Sequence, residues 1–392
     1  MSESRRIPGD TSTGSKRSDA LFGADPGPGV PRFTARAAGC RVWDEAGREY
    51  VDYVMGLGAV ALGYGHPRVG EAARVAIDAG VTGPLPPALE GEVAEALCAR
   101  LPGVERIRFL KTGAEAVAAA VRLARVATGR EQVLSCGYHG WLDWSQGSVE
   151  GVPAPIRGLR HDLPFNDAAA TRTLIRDAGT TLAAVVVEPV VVREPTREWL
   201  EVLRRETAAV GAVLVFDEIK TAFRLAVGGA AERWGVRPDL LVVGKALANG
   251  FPLAAVGGVA GVMEGAARTW ISSTLATESV ALAAARATIE VFTSEPVCAH
   301  LHRVGTRLLH GLHELAARHR EVVTGVAGLA EMCFLHYRDD RASGRVARAC
   351  AERGVLFKRT AYNFVSYGHT DADVDRTLAV LDEVLGLVAR EA

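Results

Sequence analysis

Lys245 and Asp217 each follow an apolar run, and their side chains can do chemistry there. Lys245 follows residues 239–244, where burial lowers the pKa of a lysine and makes its amine a usable nucleophile; a lysine that extends to the surface is the alternative. Asp217 follows residues 212–216, and a buried carboxylate needs a cationic partner such as a protonated ring nitrogen. Ile219 is then placed to pack against one face of that ring.

Residues 111–116, Lys-Thr-Gly-Ala-Glu-Ala, join an apolar strand to a helix. Such a junction presents backbone N–H groups and the positive end of a helix, which together bind a phosphate group. The N–H groups of Gly113 and Ala114 and the hydroxyl of Thr112 are the candidate donors. An ordinary capped helix with glycine at the turn is the alternative interpretation.

An aromatic loop and a carboxylate follow the next two apolar strands. In the loop Gly-Tyr-His-Gly-Trp at 137–141, two glycines permit a tight turn, so Tyr138 and His139 can face a cavity and contact a flat ligand. Glu188 follows the apolar run 182–187, where a carboxylate must be paired or hydrogen-bonded. A packed aromatic loop and a helix cap or surface ion pair are the respective alternatives.

A sheet must position these segments, because apolar strands alternate with helical stretches from residue 104 onward. We predict an α/β fold whose central, mostly parallel sheet is flanked by helices and collects the reactive side chains at the carboxyl ends of its strands. The length of 392 residues favours two domains. A large domain is predicted at 61–285 and a smaller α+β domain at 19–60 and 286–392, after a disordered leader at 1–18.

The composition excludes several classes of function. A net charge of −1 provides neither a basic surface for nucleic acid nor a polybasic surface for a membrane. No apolar run reaches the length of a membrane span, and the polar N-terminus has no signal-peptide core. The six cysteines form no C-x-x-C pair and have no histidine at zinc-finger spacing, so we expect reduced thiols, no metal site and a cytoplasmic protein.

The reactive segments together match pyridoxal 5′-phosphate (PLP), because a phosphate site, a stacking aromatic, a ring-nitrogen carboxylate and an amine nucleophile occur in order. The chain also resembles class III (ω-type) aminotransferases of PLP fold type I, in the glutamate-1-semialdehyde 2,1-aminomutase-like branch. The resemblance runs from residue 21 to the last helix. It rests on segments such as TGAEAVAAAVRLARVATGR, GYHGW, LVFDEIKTAFR, GVRPDLLVVGKALANGFPLAAVGG and SSTLATE.

The resemblance implies a role for each site residue. Lys245 is implied to be the Schiff-base lysine and the base that moves a proton, Asp217 the partner of the pyridine nitrogen, and Tyr138 the stacking ring. Thr274 is implied to reach the phosphate of a neighbouring subunit, which makes a homodimer with shared active sites the expected assembly. The expected cofactor-binding residues are Thr112, Gly113, Ala114, Tyr138, His139, Glu188, Asp217, Ile219, Lys220, Lys245 and Thr274.

Three features depart from the family pattern. Ala114 stands where relatives carry Ser or Thr, which removes one hydroxyl contact, and Lys220 stands where they carry Met or Gln. An inward Lys220 can alter the ring electronics or meet an anionic substrate group, whereas an outward one is only a surface lysine. Residues 142–164 are shorter than the lid loop of the aminomutase, which favours an open and freely exchanging site.

We predict an aminotransferase that moves an amino group between a small-molecule donor and a carbonyl acceptor, such as a keto sugar or a secondary-metabolite aldehyde. The alternative is an isomerase on the same cofactor, either an aminomutase or an epimerase at an amine-bearing carbon. A non-catalytic relative is a third possibility, against which intact Lys245 and Asp217 argue. Arg32, Arg224 and Arg359 are candidates to bind a substrate carboxylate, with a surface or structural ion pair as the alternative for each.

Overall fold

The computed structural model describes residues 6–27, 29–146 and 150–390. The chain divides into two compact units, one formed by Met1–His66 with Ala299–Ala392 and the other by Pro67–Cys298. Of the predicted leader, residues 1–5 lie outside the described residues. The remainder contains a short 3-10 turn at Gly14–Lys16 before the first helix.

The helices and strands are numbered in chain order. The strands are β1 Thr34–Ala38, β2 Arg41–Asp44, β3 Glu49–Asp52, β4 Arg106–Leu110, β5 Gln132–Cys136, β6 Arg160–Asp162, β7 Leu182–Val187, β8 Val213–Asp217, β9 Leu240–Val243, β10 Ala254–Gly258, β11 Val323–Leu329, β12 Met332–Tyr337, β13 Val355–Leu356 and β14 Asn363–Phe364. The helices are α1 Ser18–Phe22, α2 Met55–Gly58, α3 Pro67–Ala79, α4 Ala88–Cys98, α5 Gly113–Thr128, α6 Ala154–Arg157, α7 Ala168–Ala178, α8 Arg197–Val210, α9 Gly229–Trp234, α10 Ala260–Met263, α11 Ser279–Ser294, α12 Val297–Arg318, α13 Asp340–Glu352 and α14 Asp371–Arg390.

A seven-stranded sheet forms the centre of the unit 67–298, in the order β4-β10-β9-β8-β7-β5-β6. Strand β10 runs antiparallel to both β4 and β9, and the other neighbouring strands run parallel to each other. Every residue of β7, β8 and β9 is buried, because these central strands are covered on both faces. The predicted α/β fold with a mostly parallel sheet and flanking helices is confirmed.

Strand β10 is one part of this sheet that apolar patterning does not reveal, and the polar edge strand β6 is another. The glycines of β10 are required by the close approach of neighbouring backbone. A Cβ at Gly258 would lie 2.1 Å from the carbonyl oxygen of Asp239, and one at Gly257 would lie 2.7 Å from Cγ1 of Val104. Glycine therefore marks a tightly packed strand here, and not the end of one.

Helix α11 sets the end of this unit. It packs against α3 and α4, and eleven of its residues are buried. Because the helix is continuous to Ser294, the unit ends after Cys298 and not at the predicted residue 285. At the other boundary the units change after His66, six residues beyond the predicted residue 60.

The other unit combines the two ends of the chain. One sheet has the order β1-β2-β3-β13, in which β13 from the C-terminal part pairs in parallel with β3, and a second has the order β11-β12-β14. His369 is fully buried in this unit, and its Nδ1 accepts a hydrogen bond of 3.0 Å from the backbone N–H of Ser366. Burial lowers the pKa of His369 to about 4.

None of the helices within the described ranges is both long and apolar enough to cross a bilayer. All six cysteines are free thiols, and four of them, Cys40, Cys136, Cys333 and Cys350, are buried. Burial, as the largest cause, raises the pKa of each of these four thiols to about 12. These thiols therefore stay protonated at neutral pH and pack as small apolar side chains.

Candidate active site

The carboxyl edge of the seven-stranded sheet collects most of the predicted site residues. Parallel strands end at the same edge, and the antiparallel β10 begins there, so the segments before β10 and after the parallel strands meet. All of these residues belong to the unit 67–298. The residues at this edge are Thr112 after β4, Tyr138 and His139 after β5, Glu188 after β7, Asp217 at the end of β8, and Lys245 after β9.

Thr112 begins a helix whose first turn can bind an anion. Its Oγ1 accepts a hydrogen bond of 3.2 Å from Glu115 N, and Oε2 of Glu115 accepts one of 2.9 Å from Thr112 N, which is a capping box. Gly113 and Ala114 are the first two residues of the 16-residue helix α5, so their N–H groups have no acceptor within it. Because Thr112 Oγ1 accepts the cap hydrogen bond, its own hydrogen remains available to a phosphate oxygen.

Ile219 lies between the phosphate loop and the segment that carries Lys245. A Cβ at Gly113 would lie 2.6 Å from Ile219 Cδ1, and one at Gly244 would lie 3.7 Å from Ile219 Cγ1. The Ile219 N–H donates a hydrogen bond of 3.2 Å to Oδ1 of Asp217, which holds the chain in a tight turn. The side chain therefore occupies the position where it can support a flat ring held between phosphate and amine.

Asp217 is buried and is held by His139. The carboxylate is 3% exposed, and its Oδ2 accepts a hydrogen bond of 2.8 Å from His139 Nδ1. The other ring nitrogen of His139, Nε2, is buried and has no hydrogen-bond partner among the described residues. The His139 ring stacks on Trp144 at a centroid distance of 5.9 Å. Sequence reasoning expected His139 to contact the cofactor directly, and the sequence separation of 78 between His139 and Asp217 leaves no local signal for this pair.

The loop that carries Tyr138 lies directly on the phosphate helix. Gly140 has φ +93°, and a Cβ there would be 2.5 Å from the Cβ of Ala114. Gly137 has φ +104°, and a Cβ there would be 2.8 Å from the side chain of Glu188. The Tyr138 side chain is 69% exposed in this chain, so its ring is available to a ligand.

Lys245 combines an unusual backbone conformation with a depressed pKa. It begins the 3-10 turn Lys245–Ala248 with φ +47°, in the left-handed region that favours glycine. Burial of the amine, as the largest cause, and the charge of Lys220 lower the pKa of Lys245 to about 8, although Glu188 and Asp217 oppose the shift. At pH 7 about a tenth of the amine is therefore neutral, far more than for an ordinary lysine, and can act as a nucleophile.

Lys220 points into the site, where it forms an ion pair with Glu188. The Lys220 Nζ lies 3.0 Å from Glu188 Oε1, and the two side chains are 10% and 13% exposed. The second carboxylate oxygen, Oε2, accepts a hydrogen bond of 3.2 Å from the backbone N–H of Tyr138. Glu188 therefore ties the aromatic loop to the segment that follows Asp217.

Thr274 is the one predicted site residue that does not join this cluster within the chain; it is exposed in the segment before α11. A partly buried ion pair connects that segment to the phosphate loop, with Lys111 Nζ 2.6 Å from Glu278 Oε1. Glu278 also caps α11 by accepting hydrogen bonds from the N–H groups of Val280 and Ala281. Sequence reasoning assigned neither partner; the only signal was that both are charged residues beside site segments.

The three arginines proposed for a substrate carboxylate have different surroundings. Arg224 is completely buried in the unit of the site, and its charge also lowers the pKa of Lys245. Arg359 belongs to the other unit, where it forms an ion pair with Asp340, and Arg32 is exposed with its guanidinium beside the Phe33 ring. A cavity of about 560 Å³ that Tyr138 and His139 help to line also contains three basic side chains, Arg157, Arg160 and His161.

The residues fit PLP. The start of α5 offers donors for a phosphate, and the glycine at position 113 leaves room that a Cβ would fill. Asp217 is a buried carboxylate that accepts hydrogen bonds from a histidine and from an N–H group, and a protonated pyridine nitrogen would supply a cation for it. The partly neutral amine of Lys245 lies at the same sheet edge, as covalent attachment requires.

Comparison with known proteins agrees with this site. The chain matches the class-III aminotransferase family over residues 23–385. It is 35% identical to glutamate-1-semialdehyde 2,1-aminomutase of Neisseria gonorrhoeae strain NCCP11945, covering 92% of this chain and 93% of the relative. It is 34% identical to the same enzyme of Nitrosomonas europaea, covering 91% of this chain and 90% of the relative.

Solved structures of related proteins share the fold. The FumI protein of Sphingopyxis sp. MTA144, solved with PLP, superposes with a TM-score of 0.92 at 29% identity and covers 99% of this chain and 94% of its own. An omega-transaminase from Sphaerobacter thermophilus superposes with a TM-score of 0.87 at 27% identity, over 98% and 95%. The glutamate-1-semialdehyde aminomutase of Pseudomonas aeruginosa PAO1 reaches 0.82 at 23% identity, over 92% and 88%. The chain thus belongs to the class-III aminotransferase family and is a PLP enzyme.

Proposed function

We propose that this enzyme is an aminomutase, which moves an amino group between two carbons of one substrate. The observation that carries the proposal is the relation to glutamate-1-semialdehyde 2,1-aminomutases at 34–35% identity over more than nine-tenths of the chain. The proposed substrate class is a 2-amino aldehyde that also bears a carboxylate. Arg157, in the cavity beside Tyr138, suits such an anion, whereas Arg160 of the same cavity is paired with Asp162.

PLP, when bound, supplies an electron sink for the carbon that bears the amine. The chain's own residues would then do the remaining work. The amine of Lys245 attaches the cofactor and carries a proton between the two carbons, which its pKa of about 8 permits near neutral pH. Asp217, oriented by His139, keeps the ring nitrogen protonated, and Ile219 and Tyr138 hold the ring.

The phosphate would be held by the start of α5. Gly113 and Ala114 supply N–H groups and Thr112 a hydroxyl, and the positive end of the helix favours the anion. Ala114 offers no hydroxyl of its own, so the backbone supplies most of the donors.

We also propose that the enzyme is a homodimer and that Thr274 completes the phosphate site of the partner subunit. Thr274 is exposed, and two large apolar side chains of the same segment, Trp270 and Leu275, are 80% and 52% exposed in the single chain. Such exposed apolar groups favour burial against a second copy. The Lys111–Glu278 ion pair would couple that segment to the phosphate loop of its own subunit.

An aminotransferase that exchanges an amino group between a separate donor and acceptor is the second candidate. It is favoured by the superpositions, because the omega-transaminase has a TM-score of 0.87 and the aminomutase one of 0.82. The short connection at 142–164, part of which lies outside the described residues, also favours a site open to two successive substrates.

The two functions are separated by a reaction with a single substrate. The purified holoenzyme is given glutamate-1-semialdehyde without any amino donor or carbonyl acceptor, and the position of the amino group is followed by NMR. Catalytic transfer from carbon 2 to carbon 1 is the expected result, and Lys245→Ala must abolish it. In a separate reaction the holoenzyme is given amino donors alone. If glutamate-1-semialdehyde stays unchanged in the first reaction and the donors convert the cofactor stoichiometrically to its pyridoxamine form in the second, the enzyme is an aminotransferase.

A further inference from the structure

The ion pair between Lys220 and Glu188 has a consequence for Lys245. Strands β7, β8 and β9 are neighbours, so Glu188, Lys220 and Lys245 emerge side by side at one edge of the sheet. Glu188 is tied to this place by its hydrogen bond to Tyr138 N at 3.2 Å, and Lys220 is tied to Glu188 at 3.0 Å. Both side chains are largely buried, where solvent screens a charge poorly.

The other charges around Lys245 come from the same sheet edge. Asp217 raises its pKa and Arg224 lowers it, in addition to the opposed effects of Lys220 and Glu188. Helix α11 packs on the turn that begins with Lys245, but its charges point elsewhere. Its side chains Arg286 and Glu290 are exposed, Arg286 lies 2.8 Å from Glu92, and its capping residue Glu278 is bound by Lys111.

We propose that Lys220 is a positioning residue whose ammonium group cancels the charge of Glu188, so that the Lys245 amine faces a paired carboxylate and not a bare one. A bare carboxylate beside Lys245 at this edge of the sheet would favour the protonated amine, which is not a nucleophile. The pair therefore keeps Lys245 ready to attach the cofactor. The role of the ion pair in preparing Lys245 for catalysis rests on the proposed function. The cancellation of the Glu188 charge by Lys220 is a property of the cofactor-free chain and does not.

The ion pair predicts effects of opposite sign for its two members. Lys220→Met leaves Glu188 uncompensated and raises the pKa of Lys245. Glu188→Gln leaves Lys220 uncompensated and lowers it. The double variant removes both charges and returns the pKa towards that of the parent. A merely structural role would not produce this reversal of sign, because loss of packing has no reason to move the titration in both directions.

Competitive acylation of the cofactor-free, full-length chain measures this titration. The chain has only five lysines, which mass spectrometry can follow in separate peptides: Lys16, Lys111, Lys220, Lys245 and Lys358. Acetic anhydride reacts with the neutral amine, so the rate at Lys245 across a pH series, relative to the exposed Lys16, gives its midpoint. No turnover is needed, so the result stands whether or not the enzyme is an aminomutase.

We expect Lys220→Met to raise the midpoint of Lys245 by about one pH unit, Glu188→Gln to lower it by a similar amount, and the double variant to lie near the parent. Lys220→Arg, which keeps the charge, should leave it unchanged. The proposal is overturned if Lys220→Met leaves the midpoint at the parental value or lowers it. If Lys220→Met does not fold, Glu188→Gln and Lys220→Arg still decide, because an unchanged midpoint in Glu188→Gln also overturns it.

Discussion

Substitution of Gly140 by alanine tests whether the contact between the aromatic loop 137–141 and helix α5 is needed to bind the cofactor. The new Cβ would lie 2.5 Å from the Cβ of Ala114 and 2.8 Å from its Cα. Ordinary van der Waals contact begins near 3.4 Å, so the loop and the helix must separate by about 0.9 Å. Ala114 cannot yield by a rotamer change, because the nearest atoms are its Cβ and backbone.

Two terms contribute to the effect of Gly140→Ala. The φ of +93° places an alanine in a region that costs about 1–2 kcal/mol. The displacement of the loop then moves Tyr138 away from the phosphate site, so the ring contact and the phosphate contacts can no longer be made together. We therefore expect Gly140→Ala to weaken PLP binding at least about tenfold, which is about 1.4 kcal/mol.

Gly129→Ala is the matched control. Gly129 caps the other end of the same helix with φ +67°, and a Cβ there meets nothing within 4 Å. It therefore carries the conformational cost alone. PLP titration of the cofactor-free chains, followed by absorbance, gives the binding constants, and urea denaturation gives the free energies of unfolding. Equal PLP affinity in Gly140→Ala and Gly129→Ala would refute the idea that this contact seats the cofactor.

Three further predictions concern single residues. The pKa of His369 is about 4 in the folded chain and about 6.5 when unfolded, so its stabilising contribution is present above the higher value and lost as the pH falls between them. His369→Gln should remove roughly 3 kcal/mol of acid-dependent destabilisation, measured by urea denaturation at a series of pH values; an unchanged slope would contradict this. Lys245→Gly should be more stable than Lys245→Ala by about 1 kcal/mol in thermal unfolding, because glycine relieves the strain at φ +47°; equal stability would show that the strain is absent. Thr112→Ala should lose about 1 kcal/mol of unfolding free energy with its cap, and Thr112→Ser should retain most of it; equal losses in the two variants would contradict the capping role.

The buried strands were predictable because their environment leaves a local trace. A strand covered on both faces is apolar throughout, so β7, β8 and β9 are visible as continuous runs, and the first polar residue after each marks the sheet edge. Convergence of Glu188, Asp217 and Lys245 then follows from parallel strand order.

The pairings among side chains were not predictable in the same way. Whether Lys220 points inward depends on Glu188, a residue of another strand, and the orientation of His139 depends on Asp217. These contacts arise only when strands assemble, so no periodicity in either segment encodes them. Strand β10 was not predicted for a related reason. Its glycines are required by the close approach of neighbouring backbone, such as the carbonyl of Asp239, and that approach exists only in the assembled sheet.

The position of Lys245 between two antiparallel ladders bears on how enzymes of this kind can change specificity. The connection that carries Lys245 leaves β9 at Val243 and enters β10 at Ala254. Val243 pairs with Ala255 of β10, and Ala254 pairs with Leu110 of β4. Both ends are thus anchored in the middle of the sheet. The connection after β6 leaves the edge strand of the sheet, which pairs with a neighbour on one side only. Mutations there can reshape the substrate cavity over evolutionary time while the nucleophile stays in register.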